Sequence, residues 1–202
     1  QDADLIIFLG DYLSAEYFDR KKLKMPLETA VQNLSGMRAK YGVFAVLGNH
    51  DNEYGNEKVK AEFENAGYRV LENEAISIEK NGEKIRFVGL ADVLKTGNPL
   101  NYSEDAKSAL DKLGETEGNI IAFTHNPDMV EFLTGDHLIS KDFSLFLAGH
   151  THGGQCNFPL IGSPIVPSSF GQKYAAGFIR KNDVDVFVAT GIGTSILPVR
   201  FR

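Results

Sequence analysis

Val43-Phe44-Ala45-Val46-Leu47 runs without a polar side chain into Gly48-Asn49-His50-Asp51. A short apolar run that stops in turn and ligand residues predicts a strand buried on both faces, with its polar cluster at the carboxyl end. The pattern recurs along the chain. Leu5-Ile6-Ile7-Phe8-Leu9 stops at Gly10-Asp11, Ile120-Ile121-Ala122-Phe123 at Thr124-His125-Asn126, and Leu145-Phe146-Leu147-Ala148 at Gly149-His150-Thr151-His152. In open α/β sheets ligands bind outside the carboxyl ends of the strands. Four of the five histidines lie in these clusters. The clusters are therefore expected to meet at one metal site, with His125 within about 10 Å of His150.

Outward from these strands, helices and hairpins divide the chain. Pro26 suits the first position of a helix carrying Leu27, Val31 and Leu34 on one face, with Gly42 as the stop. Asn56 is expected to cap a second helix that buries Val59 and Phe63 and ends at Gly67. Ile76-Ser77-Ile78 and Ile85-Arg86-Phe87-Val88 flank Asn81-Gly82, a hairpin signal. Ser103 is the expected cap of a helix with Ala106, Leu110 and Leu113, and Asp128 to Leu133 reads as a further short helix. Ala175 to Arg180 and Val184 to Ala189 close the chain as antiparallel strands around a turn at Asn182-Asp183. The fold class that follows is α/β, a layered mixed β-sandwich flanked by helices, in a single catalytic domain over residues 1–202.

Composition narrows the function classes. The chain has 202 residues and a net charge of −6, with no long basic run, so long nucleic acids are not expected as partners. Cys156 is the one cysteine, which excludes an internal disulfide. No apolar stretch approaches the roughly 20 residues that span a bilayer.

Imidazole, amide and carboxylate oxygens form an intermediate ligand set suited to Zn, Fe or Mn. Asp11 can present its two oxygens to different ions. In a strand the i and i+2 spacing of His150 and His152 would put both on one face, while at a strand end running into Gly153-Gly154 the backbone can turn to aim each ring at a different ion; Asn49 supplies a neutral oxygen. Gly10, Gly48 and Gly149 each precede a cluster, where glycine permits close approach or an unusual dihedral. Singly, each cluster has a plainer reading: Asp11 as a helix cap, Gly48-Asn49-His50-Asp51 as a turn, His125 as a structural histidine. Their shared placement at strand ends favours metal. His137 reads as a surface-loop histidine, Asp92 as a turn residue, and Lys173, Arg180 and Arg200 as solvated cations. The apolar stretch 158–166 reads as packing beside the site rather than a lipid groove.

The set Gly10-Asp11, Gly48-Asn49-His50-Asp51, His125 and Gly149-His150-Thr151-His152 resembles the calcineurin-like metallophosphoesterases over nearly the whole chain. The run Gly149 to Gln155, with Gly191-Ile192-Gly193-Thr194-Ser195, is similar to the bacterial YkuE/YaeI branch. The resemblance implies that Asp11 bridges two divalent ions (Mn, Zn or Fe). Asn49, His125 and His150 would complete one site, and His152 would belong to the other. His50 would be the catalytic histidine near the leaving group, oriented by Asp51. It implies hydrolysis of a phosphodiester, pyrophosphate or phosphomonoester by a metal-activated water, on a small or lipid-linked cell-envelope substrate. A nuclease or cyclic-nucleotide phosphodiesterase is the alternative enzyme, and a non-catalytic metal-binding scaffold the alternative outside enzymes. The presence of His50 weighs against the scaffold. Family members open with an Asp-x-His strand that gives two ligands to the first metal, and no such motif stands upstream of Asp11. The expectation is that the N-terminal strand is missing from this chain. The resemblance also implies an N-terminal anchor or export segment, expected to be missing with that strand, and hence a membrane-associated or extracytoplasmic location for the intact protein.

Overall fold

Alternate residues of each apolar run face two different layers. In the computed structural model, described over residues 3–16, 19, 22–92, 98, 101–115, 117–133, 143–181, 184–195 and 198–201, nine strands form two sheets. His137 and the turn at Asn182-Asp183 lie outside the described residues. The first sheet is parallel, with β1 (Ile6–Phe8), β2 (Val43–Ala45) and β3 (Arg69–Val70) in that order. The second holds β4 (Glu74–Lys80), β5 (Glu83–Gly89), β6 (Asn119–Phe123), β7 (Phe143–Ala148), β8 (Gly177–Lys181) and β9 (Val184–Val188), ordered β4-β5-β6-β7-β9-β8. Its centre, β5-β6-β7-β9, is parallel, and antiparallel strands close both edges. β1 stands at an edge of its sheet and pairs with β2 among the described residues.

The period of two in the strands sorts the core into three apolar layers. Ile7, Phe44, Val46, Leu71, Ile76, Phe87, Phe123 and Leu147 pack between the two sheets. Ile6, Phe8, Ala45, Leu47 and Val70 face helices α1 (Leu27–Leu34) and α2 (Asn49–Asn65), where they meet Val31, Val59 and Phe63. Val88, Ile120, Ala122, Phe146 and Val186 face α3 (Tyr102–Leu113) and α4 (Val130–Leu133) on the other side. The molecule is thus a helix–sheet–sheet–helix sandwich, as the continuous apolar runs require. No helix among the described residues is long and apolar enough to cross a membrane.

Helix boundaries differ from the sequence expectation for local reasons. Pro26 is the residue before α1 rather than its first residue, and the helix ends at Ser35 rather than running on to Gly42. α2 begins at Asn49, seven residues before Asn56, because the Asp51 carboxylate accepts the Gly48 N–H and closes the first turn. The helix breaks at Gly55 (φ 144°, ψ 92°), so the expected start at Asn56 marks the second of two segments. The Asn56 amide donates to Asn52 and Glu72. In α3, Ser103 lies inside the helix and donates to the Phe132 carbonyl, while Asn101 precedes the first turn. The hairpin at Asn81-Gly82 forms as expected, with positive φ at both residues.

One polar cluster ties α4 to the edge of the second sheet. Glu131 accepts from Lys173 (2.6 Å), Lys181 (2.5 Å) and the Tyr174 hydroxyl (2.5 Å). Burial opposes its charge, but these donors outweigh burial and hold the carboxyl down at about 2. A depressed carboxylate stabilises the fold above its unfolded pKa, and that contribution is lost as pH falls through the folded value. Glu131→Gln should therefore cost on the order of 1 kcal/mol above about pH 4.5. The difference from wild type should vanish as pH falls through about 2. Urea unfolding across that range checks it; a pH-independent difference would assign Glu131 a packing role instead.

Candidate metal centre

The loops after β1 and β2 fit together without room for a side chain. A Cβ on Gly48 would lie 2.2 Å from Asp11 Oδ1, and one on Gly10 (φ 90°) 2.7 Å from both Gly48 N and His125 Nδ1. Glycine at both positions is what lets the two backbones touch. The buried Asp51 carboxylate locks the pair. Its Oδ2 accepts the N–H groups of Asp11 (2.8 Å) and Gly48 (2.9 Å), and its Oδ1 those of Tyr12 (3.0 Å) and Leu13 (3.2 Å). Burial and the Asp11 charge push the Asp51 carboxyl up to about 7, against the amide donors that favour its ionised form. The Tyr12 hydroxyl adds a bridge, donating to the Val46 carbonyl (2.7 Å) and accepting from Gly10 N–H. Asp11 is thereby fixed at φ 58°, with Oδ1 accepting the His50 N–H at 3.0 Å.

Adjacent strands β6 and β7 of the second sheet bring the histidines to the same place. The Gly149 N–H donates to the His125 carbonyl, so the two loops leave their strands in register. His125 is buried and its Nδ1 lies 2.6 Å from the Leu9 carbonyl. A carbonyl only accepts, so Nδ1 carries the proton in that bond. Nε2 then points at Asp11 Oδ2 (3.1 Å) and His150 Nδ1 (3.0 Å). His150 (φ 65°) and His152 (φ 52°) are, like Asp11, non-glycine residues held in the left-handed region, an uncommon conformation that clusters at functional sites. The buried Thr151 between them donates to the Ala175 carbonyl at 2.8 Å and pins the turn.

Three ligand atoms of Asp11, His125 and His150 thus lie within 4.8 Å of one another. Two imidazole nitrogens and a carboxylate oxygen at such distances require a cation among them, either a proton or a metal ion. Burial opposes charge on both Asp11 and His125, yet their mutual contact outweighs it, lowering the carboxyl and raising the imidazole. Burial and the neighbouring His125 push His150 down to about 4, leaving its ring neutral and able to ligate at neutral pH. Asn49 Oδ1 is buried without a hydrogen-bond partner among the described residues, an acceptor that a metal would satisfy. The residues present fit a divalent metal.

His152 stands apart from the tight trio but lines the same cavity of about 550 Å³, together with Asp11, His50, His125 and His150. The His50 ring is half exposed at its wall, with Nε2 4.0 Å from Asp11 Oδ2 and Nδ1 3.9 Å from Glu53. The sequence reading expected that ring to be oriented by Asp51. Both its oxygens are taken by backbone amides, because a carboxylate at the third position of a helix faces the N–H groups around the helix start.

Several contributors carry no sequence signal of their own. Arg200, expected as a solvated cation, donates to the carbonyls of His152 (3.1 Å), Thr190 (3.1 Å) and Gly193 (2.5 Å), clamping two walls of the cavity. Gln155 exchanges hydrogen bonds with the Ser195 backbone. Buried Asp128 holds Ser168 and Ser169. Lys173 and Arg180 are paired with Glu131 and Asp185. Asp92, which the sequence also allowed as a residue behind the site, is buried, and its charge favours protonated His125. Their contacts in three dimensions, and not the spacing of charges in sequence, identify these groups.

Comparisons with known proteins agree with this geometry. Residues 1–154 match the family model described as calcineurin-like phosphoesterase. The chain is 31% identical to the uncharacterized metallophosphoesterase YkuE of Bacillus subtilis, covering 98% of this chain and 64% of that protein. It is 29% identical to phosphodiesterase YaeI of Escherichia coli, covering 96% and 65%. It therefore spans a little under two thirds of the length of these relatives. The solved structure of Haemophilus influenzae NAD nucleotidase shares the fold, with a TM-score of 0.54 at 19% identity over 93% of this chain and 40% of that one. On the matched family model and the strand-end site together, the chain belongs to the calcineurin-like phosphoesterase family.

Proposed function

We propose that the protein is a metal-dependent phosphoester hydrolase. The observation that carries this reading is the convergence of Asp11 Oδ2, His125 Nε2 and His150 Nδ1 at the carboxyl ends of strands from two sheets, beside the unpartnered Asn49 oxygen. Asp11, Asn49, His125 and His150 would hold one divalent ion, with Asp11 and His152 contributing to a second. Mn, Zn and Fe suit such a donor set. Bound there, the ions supply Lewis acidity toward a phosphoryl oxygen and toward the attacking water.

The rest of the chemistry falls to the chain. Water adds to phosphorus as the ester P–O bond breaks, and the departing oxygen needs a proton. We assign that role to His50, which lines the cavity outside the tight trio. Asp51 is a positioning residue: it aims Asp11 and fixes the start of α2, from which Asn49 and His50 project. The substrate would be a small phosphodiester, pyrophosphate or phosphomonoester, and a lipid-linked phosphate of the cell envelope belongs to the same chemical class.

Chelation should abolish hydrolysis of bis(p-nitrophenyl) phosphate, and added Mn²⁺ or Zn²⁺ should restore it; turnover indifferent to chelators would sink the proposal. His50→Ala should lower turnover of esters with poor leaving groups at least about 10²-fold with metal content unchanged. His125→Ala should lose the metal itself. Loss of metal in the His50 variant would make that residue a ligand.

Asp51→Asn replaces one acceptor oxygen by a donor among four N–H groups. It should destabilise the fold by on the order of 2–3 kcal/mol and weaken metal affinity, while the acidic and basic limbs of the pH–rate profile stay in place. A shift of one limb with stability intact would show that Asp51 acts through the His50 ring after all.

A further inference from the structure

Beyond β7 the chain turns the disfavoured way. His152, Gly153, Gly154 and Gln155 all have positive φ (52°, 66°, 68° and 56°). Within the turn, Gly154 N–H donates to the Thr151 carbonyl (2.8 Å) and Gln155 N–H to the His152 carbonyl (3.1 Å). Glycine takes such dihedrals freely, but His152 and Gln155 carry side chains that oppose them. A conformation of this kind persists only where its surroundings over-determine it, and it clusters at functional sites.

The surroundings do over-determine it. The Arg200 guanidinium donates to the His152 carbonyl (3.1 Å) and also to the carbonyls of Thr190 (3.1 Å) and Gly193 (2.5 Å). The Gln155 amide donates to the Ser195 carbonyl (2.8 Å) and accepts the Ser195 N–H (2.5 Å), so it reads both peptide groups of one residue. Buried Ser163 Oγ donates to the Gly153 carbonyl at 2.8 Å. That brace comes from the stretch 158–166, whose Leu160 and Ile161 stand exposed.

Arg200 and Gln155 thus tie the turn to one segment, Thr190 to Ser195, which lines the cavity along with His152. The two surfaces are in contact. A Cβ on Gly153 would lie 3.0 Å from Thr190 Cγ2, and one on Gly191 would lie 3.8 Å from His152 Nδ1. The backbone that carries Arg200 is itself fastened at the exit of the turn. Phe201 N–H donates to the Gln155 carbonyl and Asn157 N–H to the Phe201 carbonyl, both at 2.8 Å. The planar fork of a guanidinium, with five donors, suits three carbonyls from two segments; an ammonium does not offer that shape.

We infer that Arg200 and Gln155 are positioning residues that latch the His152 turn to the Thr190–Ser195 wall and so hold the His152 ring in the cavity it shares with Asp11. The latch stands on these contacts alone. Its part in catalysis rests on the phosphoesterase reading, in which His152 contributes to the second ion. Partners that orient a metal ligand are typically worth about 10–100-fold in metal affinity.

Nuclear magnetic resonance of the 202-residue chain tests the latch without metal. Wild type should show nuclear Overhauser contacts between the His152 ring and the Gly191 α-protons, and Arg200→Ala and Gln155→Ala should lose them. Arg200→Lys, which keeps the charge without the fork, should also lose them, and it decides the matter where Arg200→Ala does not fold. Zn²⁺ titration then tests the consequence. The ion held by Asp11, Asn49, His125 and His150 should bind wild type and variants alike, whereas the Zn²⁺ concentration at which the His152 ring responds should rise at least about tenfold in the variants. With Mn²⁺, kcat for bis(p-nitrophenyl) phosphate should fall by a similar factor. Ring contacts that survive in the variants, or an equal loss of affinity for both ions, would overturn the proposal, the second by making Arg200 and Gln155 general supports of the fold. A wild type that shows the ring contacts but hydrolyses no ester would overturn the phosphoesterase reading and leave the latch standing.

Discussion

Everything at the candidate site hangs on one buried carboxylate that faces backbone rather than substrate. Asp51 collects amides from residues 11, 12, 13 and 48. A buried carboxylate is tolerated only when its oxygens are satisfied, and here the donors come from two segments nearly forty residues apart in sequence. The carboxylate therefore acts as a rivet between the β1 loop and the start of α2. The glycine contact at Gly10 and Gly48 follows from how tightly that rivet draws the segments together.

The second junction joins the two sheets. His125 comes from the six-stranded sheet, and its Nδ1 reaches the Leu9 carbonyl just past β1 of the three-stranded sheet. That single bond fixes the ring, its tautomer and the spacing of the sheets at the site. The inter-sheet apolar layer holds the same spacing over the rest of the interface. The cluster is thus rigid because its supports are shared with the core, and its strained dihedrals at Asp11, His150 and His152 are sustained by that rigidity.

Much of this was legible in the sequence. The four apolar runs carried the strands: β2 is buried throughout, while β1, at a sheet edge, is apolar but only partly buried. The polar residues at their ends pointed to Asp11, His125 and His150, whose ligand atoms the structure brings within 4.8 Å of one another. The hairpin at Asn81-Gly82 was legible because its turn demands particular dihedrals. What failed was long-range or local in ways that periodicity cannot register. The role of Asp51 depends on amides brought in from the β1 loop. Arg200 looks like any surface cation until three carbonyls surround it. The stretch 158–166 has the composition of a core segment, and only three-dimensional placement shows its aliphatic tip in water. The start of α2 was misplaced because a helix opening on Gly-Asn-His-Asp reads as a turn.

The break in α2 at Gly55 divides labour within one helix. Its first segment is riveted through Asp51 to the neighbouring loop, while the second is seated in the core by Val59 and Phe63, both fully buried. A continuous helix would behave as a lever, carrying any displacement of its far end directly to Asn49 and His50. A joint at Gly55 interrupts that transmission. Changes on the exposed face of the second segment are thereby kept from the geometry of the candidate site.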